Sequence, residues 1–229
     1  MAGLPRRRRF GRIIGGVLLA LLLGPLLLIL VFRFVPPPVT PLMLVRLAEG
    51  YGLDHRWVPY ARITPVLMEA AVASEDQLFC REKIGIDVDA FAAQFAVWQR
   101  GERPRGASTI TMQTTRNLLL WPGRDFVRKA IEAWLTPQMA LLWPKQRVME
   151  VYLNIIEFGP GVYGAEAAAQ RFFGRSAGTL TRDQAVRLIA VLPDPLNWSA
   201  THPSGYVRQR DEIIGRRLGT LGALLDCVR

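Results

Sequence analysis

Hydrophobic and polar residues recur with a helical period along most of this chain, behind an opening segment that is apolar throughout. Residues 13–32 contain no charged side chain and are long enough to cross the hydrocarbon core of a bilayer as a helix. No run of alternating apolar and polar residues indicates a strand. The pattern predicts a mainly α fold with helices over residues 66–78, 88–99, 108–120, 124–135, 145–158, 165–173, 181–191 and 206–225.

The opening apolar segment predicts a membrane anchor. Arg6–Arg9 and Arg12 precede it, so the positive-inside rule predicts a cytoplasmic N-terminus and places residues 36–229 outside. A cleaved signal peptide is the alternative, but no small-x-small cleavage site follows the apolar run. The sequence therefore predicts a basic tail at 1–12, a transmembrane helix at 13–35, a stiff proline-containing linker and the start of the body at 36–60, and a folded domain at 60–229.

The placement of charge, cysteine and histidine argues against two classes of function. The net charge is +10, and residues 1–33 hold six of the Arg residues and no acid. Much of the excess charge therefore lies beside the apolar segment and not on a folded face, which argues against nucleic-acid binding. Cys80, Cys227, His55 and His202 have no zinc-site spacing. The two cysteines could form a disulfide in an oxidising compartment or remain free thiols.

A polar stretch, Gly106–Asn117, interrupts a sequence otherwise rich in Leu, Ala, Val and Arg. It carries five hydroxyls and two carboxamides, and no charge before Arg116. Such a surface suits a neutral, hydroxyl-rich ligand bound by many hydrogen bonds, although an ordinary polar loop leading into a helix is the alternative. The preceding segment, 100–106, contains Gly and Pro and predicts a loop that closes over a substrate.

Two adjacent acids are the first candidates for chemistry. Glu75 and Asp76 fall near the end of the helix at 66–78, which begins with the strong start signal Thr64-Pro65. They lie about 100° apart around the axis, so only one can point squarely into a given cleft. Solvated acids at a helix end are the alternative, although acids there oppose the helix dipole.

A charged row on the helix at 124–135 is the second candidate. Arg128 and Lys129 lie four and three residues before Glu132, and Arg124 extends the row by one turn. An ordinary salt-bridged helix face is one interpretation. The cations exceed what Glu132 requires, however, and the surplus suits an anion such as pyrophosphate.

Five segments in order resemble the motifs of the peptidoglycan glycosyltransferases, glycosyltransferase family 51. They are Ala73–Phe79, Gly106–Asn117, Arg128–Glu132, Lys145–Asn154 and Leu188–Pro193. The resemblance covers about residues 60–200, and five motifs in order are far more specific than any one of them. It implies a mainly α, lysozyme-like, two-lobed glycosyltransferase domain that lies against the membrane. It also implies polymerisation of lipid II with a growing lipid-linked glycan as donor and release of undecaprenyl diphosphate.

The resemblance implies roles for individual residues. Its catalytic base falls on Glu75, which would deprotonate the 4-hydroxyl of the acceptor sugar for attack on the donor anomeric carbon. Its second catalytic glutamate falls on Glu132. Its leaving-group cations, which would stabilise the departing diphosphate, fall on Arg116, Arg124, Arg128 and Lys129. The other substrate-binding candidates are Asp76, Phe79, Ser108, Thr109, Gln113 and Asn117.

Two departures from the family pattern affect these expectations. Residues 80–87 lack the usual His and carry one extra residue, so the contacts around Asp87 stay open. Arg116 stands where the family usually has Lys, which keeps the charge and changes its geometry. No serine begins a Ser-x-x-Lys motif, so the sequence predicts a monofunctional enzyme without a transpeptidase.

Partners, location and alternatives complete the expectations. The resemblance implies a bacterial inner-membrane enzyme with a periplasmic catalytic domain, which binds lipid II, lipid-linked glycan and the membrane, and no nucleic acid. It also allows other cell-wall synthesis proteins as binding partners. No metal ligands are predicted; a Mg or Mn ion shared by Asp76 and the substrate pyrophosphate stays open.

A lysozyme-like hydrolase would need neither the cation row nor the anchor, and an anchored scaffold would tolerate Glu75→Gln.

Overall fold

The described part of the chain is almost entirely helical outside one small sheet. The computed structural model describes residues 6–102, 108–123 and 125–229. Along these residues the helices are α1 Arg6–Phe32, α2 Pro41–Ala48, α3 Pro65–Glu75, α4 Val88–Gln99, α5 Ile110–Leu119, α6 Phe126–Leu142, α7 Lys145–Ile155, α8 Ala165–Phe173, α9 Arg182–Ala190 and α10 Gly205–Leu218. The strands are β1 Asp54–His55, β2 Glu157–Gly159 and β3 Val162–Tyr163. The prediction of a mainly α fold is confirmed.

Helix boundaries agree with the sequence where local signals are strong. α4 and α8 begin and end at the predicted residues. α9 begins after Thr181, whose hydroxyl and the side chain of Gln184 form a reciprocal capping box. α10 stops at Leu218, earlier than predicted, and a single 3₁₀ turn over Gly222–Leu225 follows it.

Two helices are shorter than the sequence predicts. α3 ends at Glu75 because Asp76 leaves the helical conformation, with φ −163° and ψ 83°. The predicted helix at 66–78 is therefore wrong over its last turn. α7 ends at Ile155 because the chain turns into β2 at Glu157–Gly159, a strand that the sequence does not predict.

Two helical segments exceed the prediction. α6 continues to Leu142 with Pro137 inside it, because its buried stripe continues beyond the predicted end. α2 occupies part of the predicted proline linker. Its start is stabilised by Thr40, whose hydroxyl accepts from the amide of Met43 at 3.4 Å, while Pro41 takes the first helical position.

α1 is joined to the rest of the protein by side chains from α6 and α7. Among the described residues it is the one helix long and apolar enough to span a membrane, over Phe10–Phe32 with mean hydropathy 2.8. The indole of Trp143 donates to the carbonyl of Ile29 at 2.7 Å. The guanidinium of Arg147 donates to the carbonyls of Phe32 at 2.8 Å and Val35 at 2.9 Å. The bond to Phe32 satisfies a carbonyl at the end of the helix, whereas the carbonyl of Ile29 also accepts from the amide of Arg33 at 3.1 Å.

The body consists of two groups of helices. α3 packs against α9 and α10, and α5 packs against α6 and α7. β3 pairs in parallel with β1 and antiparallel with β2. The β2 and β3 strands connect the end of α7 to α8 along the chain. A disulfide joins Cys80 to Cys227, so the first of the two alternatives for these cysteines is correct and the loop after α3 is fastened to the end of the chain.

Candidate active site

Glu75 is the last residue of α3, and both oxygens of its carboxylate accept hydrogen bonds. The hydroxyl of Ser74 donates to Oε1 at 2.8 Å, and the amide of Gln113 on α5 donates to Oε2 at 3.2 Å. A guanidinium nitrogen of Arg210 on α10 lies 3.8 Å from Oε1. The side chain keeps 16% of its surface exposed, so a ligand can reach it. Because each carboxylate oxygen has more than one lone pair, Glu75 can still accept a proton.

Asp76, which follows it, turns into the protein. Its Oδ2 accepts from the backbone amide of Ile110 at 2.9 Å, at the start of α5. Burial raises the pKa of Asp76, and the bond from Ile110 opposes that shift. The sequence-based expectation that the two acids point in different directions is confirmed. Asp76 fixes α5 relative to α3 and so helps to set the distance between Gln113 and Glu75.

α5 uses most of its hydroxyls internally. Thr109 caps the helix by accepting from the amide of Met112 at 3.0 Å, and it donates to the carbonyl of Gly85. Thr114 and Thr115 donate to carbonyls one turn earlier and are completely buried. The expected hydroxyl-rich surface over Gly106–Asn117 is therefore wrong in large part, because a helix buries one of its faces. Its exposed members are Ser108, Gln113, Arg116 and Asn117, each only partly exposed.

The charged row on α6 forms a compact cluster around Glu132. This carboxylate is completely buried and accepts from Arg128 at 2.6 Å and from Lys129 at 2.7 Å. Lys129 also donates to the hydroxyl of Ser108 at 3.0 Å. The expectation that these three charges share one helix face is confirmed, whereas Arg124 lies outside the described residues. Two cations against one buried carboxylate leave a net positive charge.

Arg116 adds a further cation beside this cluster. Its Nε donates to the side-chain oxygen of Asn117 at 3.2 Å. Burial lowers the pKa of Arg116, while the negative charge of Glu132 raises it and the positive charge of Arg128 lowers it. A guanidinium remains charged despite such a shift, so its buried charge favours an anion nearby.

Two neighbouring cavities bring these groups together. One cavity of about 340 Å³ is lined by Glu75, Asp76, Ser108 and Thr109 among others. A second cavity, of about 270 Å³, is lined by Arg46, Gln113, Arg116, Asn117 and Arg128 among others. The hydrogen bond from Gln113 to Glu75 connects their walls. A carboxylate that can accept a proton thus lies next to a cavity lined by cations.

The altered segment at 80–87 contributes Glu82 and Asp87 to the wall of the first cavity. Phe79 is completely buried, and the ammonium of Lys145 lies 4.5 Å from the centre of its ring. Burial, and next the charge of Asp76, raises the pKa of Glu82 to about 8, against the opposing charge of Lys145. Within the described ranges, no group of three or more His, Cys, Asp or Glu is arranged to hold a metal ion.

Sequence reasoning missed four residues that the fold brings to the site. They are Arg46 from α2, Lys145 and Tyr152 from α7, and Arg210 from α10. Lys145 and Tyr152 lie in the family motif at Lys145–Asn154 but were not assigned to the site, and no local spacing could reveal Arg46 or Arg210. The late family motif ends at Pro193, and Arg210 lies beyond it.

Comparison with known proteins gives a consistent result. A family model described as Transglycosylase matches residues 44–218. A protein of Caulobacter vibrioides is 47% identical over 224 residues, 97% of each chain. A protein of Rhodospirillum centenum is 48% identical over 220 residues, 95% of this chain and 93% of its own. One of Pseudomonas fluorescens is 47% identical over 207 residues, 88% of this chain and 86% of its own. All three are named biosynthetic peptidoglycan transglycosylase.

Proposed function

Because the chain belongs to the transglycosylase family, whose enzymes polymerise glycan strands for the bacterial cell wall, we propose that Glu75 is the base of that reaction and that the α6 cluster receives the leaving group. The observation that carries this proposal is the pair of adjoining cavities. One contains a partly exposed carboxylate, and the other contains Arg116 and Arg128. The substrate we propose is lipid II, with the growing lipid-linked glycan as donor.

The base acts on the acceptor sugar. Glu75 takes the proton of the acceptor 4-hydroxyl, and the oxygen attacks the anomeric carbon of the donor with inversion. Ser74 and Gln113 hold the two carboxylate oxygens, so the base does not have to reorganise during the reaction. The bond from the anomeric carbon to the diphosphate breaks as the new glycosidic bond forms.

The cations act on the departing diphosphate. Arg116, Arg128 and Lys129 stabilise the negative charge that develops on its oxygens, and Arg124 joins them in the prediction from sequence. Glu132 is completely buried and bonded to Arg128 and Lys129. We therefore assign Glu132 the role of holding these cations in place. Ser108 and Asn117 lie at the cavity walls, where they can bind the sugar. Asp76 and Thr109 also line the cavity that contains Glu75 but are themselves buried, and Phe79 is completely buried.

We also propose a membrane placement, which α1 supports. Its apolar surface suggests membrane anchoring, with 6% of its most apolar window buried. The basic residues before it support a cytoplasmic N-terminus, and therefore a catalytic domain on the periplasmic face of the inner membrane. In this arrangement the basic tail is residues 1–12, the span 13–35 and the catalytic domain 60–229, with α2 in the segment between.

The test of the base is incubation of the detergent-solubilised chain with lipid II, followed by sizing of the products. Glu75→Gln is expected to lower the rate by at least about 100-fold, on the scale of a lost general base. Glu212→Gln is the matched control, because that side chain is 71% exposed on α10. Polymerisation by Glu75→Gln at the parent rate would show that the base is assigned wrongly. Glycan shortening instead of growth would indicate a hydrolase, and a parallel reaction with EDTA tests for a substrate-bound metal.

A further inference from the structure

One face of α10 supports the end of α3 that carries Glu75. Arg210 donates to the hydroxyl of Ser74 at 3.2 Å and lies 3.8 Å from Oε1 of Glu75. Arg217, seven residues later and therefore on the same face, donates to the carbonyl of Ala73 at 3.2 Å. The negative end of the α3 dipole and two acids meet here, so two guanidinium groups compensate charge at this point.

The guanidinium of Arg210 has a fixed position of its own. Its Nε donates to the carbonyl of Ala190 at the end of α9, at 3.2 Å, while another nitrogen contacts Ser74. The planar fork of Arg allows both bonds at once, which a Lys ammonium could not reproduce. Arg210 is thus held by α9 independently of its contact with Glu75.

Arg210 also approaches Ser74 from a different side than the substrate would. It lines a cavity of about 220 Å³ with Ser74 and Arg217, separate from the cavity that contains Glu75. Ser74 lines both cavities and lies between the cation and the reaction space. Its hydroxyl accepts from Arg210 and donates to Glu75.

We propose that Arg210 is a positioning residue that fixes the carboxylate of Glu75 through Ser74. This inference rests on the proposed function, in which Glu75 is the base. The relay from Arg210 through Ser74 holds Oε1, and Gln113 holds Oε2, so the plane of the carboxylate cannot rotate freely. Arg210 does not contact the sugar, so its substitution is expected to change kcat and not KM.

The test measures kcat and KM for lipid II polymerisation by the full chain. Arg210→Gln is expected to lower kcat by about tenfold with KM unchanged, and Arg210→Lys to recover part of that loss. Combining Arg210→Gln with Ser74→Ala is expected to lower kcat no more than about twofold further, because the two act as one unit. Arg216→Gln is the matched control: it removes the same charge from the same helix, and its side chain is 71% exposed.

Three outcomes would overturn the inference. One is a kcat for Arg210→Gln equal to that of Arg216→Gln; another is a raised KM with unchanged kcat, which indicates a substrate contact. The third is independent, multiplying losses from Arg210→Gln and Ser74→Ala. Circular dichroism checks the fold of each variant, and if Arg210→Gln does not fold, Arg210→Lys takes its place in the cycle. An active Glu75→Gln would contradict the proposed function, whereas an inactive one beside a parent-like Arg210→Gln contradicts this inference alone.

Discussion

Glu75 and Glu132 are the two acids that the family motifs single out, and their surroundings differ in kind. Glu75 is partly exposed and receives its hydrogen bonds from the neutral side chains of Ser74 and Gln113. Glu132 is completely buried and bonded to the two cations Arg128 and Lys129. A base needs access and free lone pairs, whereas a carboxylate enclosed by cations can only hold them in place. This difference is why the proposal assigns the reacting role to Glu75 and a supporting role to Glu132.

The largest expected effect is a difference in stability between the variants Glu132→Gln and Glu75→Gln. Glu132→Gln leaves Arg128 buried without its full counter-charge, so the free energy of unfolding is expected to fall by about 3–5 kcal/mol. Glu75→Gln removes only a long, partly exposed contact with Arg210, at a cost of at most about 1 kcal/mol. Thermal unfolding in detergent, followed by circular dichroism, measures both. Equal losses for the two variants would remove the distinction between them.

A second, smaller expected effect tests whether the cations that Glu132 holds also take part in turnover. Arg128→Ala is expected to lower kcat/KM per folded molecule by about 100-fold, the scale for one lost electrostatic contact to a transition state. The control is Arg56→Ala, since that side chain is 54% exposed and paired only with Asp54 in the described structure. If folded Arg128→Ala polymerises lipid II at the parent rate, the cluster is purely structural.

The smallest effect concerns a third acid, Glu82, which is only partly buried and lies near the acids Asp76 and Asp87. Because its pKa is raised to about 8, folded Glu82 keeps its proton at pH values where the unfolded chain, near its usual pKa of 4.5, has lost it. Stability is therefore expected to fall as the pH rises from about 4.5 to about 8. Glu82→Gln should flatten this slope in unfolding experiments across that range, while the exposed Glu102→Gln should leave it unchanged. A slope that persists in Glu82→Gln would assign it to other groups.

The sequence predicted best what is encoded within a single element. The row of Arg128, Lys129 and Glu132 lies on one helix face by spacing alone, and α4 and α8 have clear ends. The predicted last turn of α3 was wrong because Asp76 accepts a hydrogen bond from the start of α5, a contact made across the fold. Hydroxyl count could not reveal which face of α5 is buried.

Contacts between distant segments explain the remaining misses. α2 begins where four prolines suggested only a stiff linker, because Thr40 and Pro41 start a helix that packs on α5. Arg210 is 135 residues from Glu75, so only the packing of α10 on α3 brings them together. The roles proposed for Glu75 and its neighbours stay predictions until the variants are measured.

The bonds between α1 and the body have a consequence for where the reaction takes place. Trp143 and Arg147 hydrogen-bond carbonyls at the end of α1, which holds that helix directly against the body. In the proposed membrane placement, the height and tilt of both cavities above the bilayer are then set by this same helix. A lipid-linked substrate carries its diphosphate at a nearly constant depth, fixed by the lipid tail. We therefore expect this attachment to keep Arg116 and Arg128 at one height relative to that diphosphate.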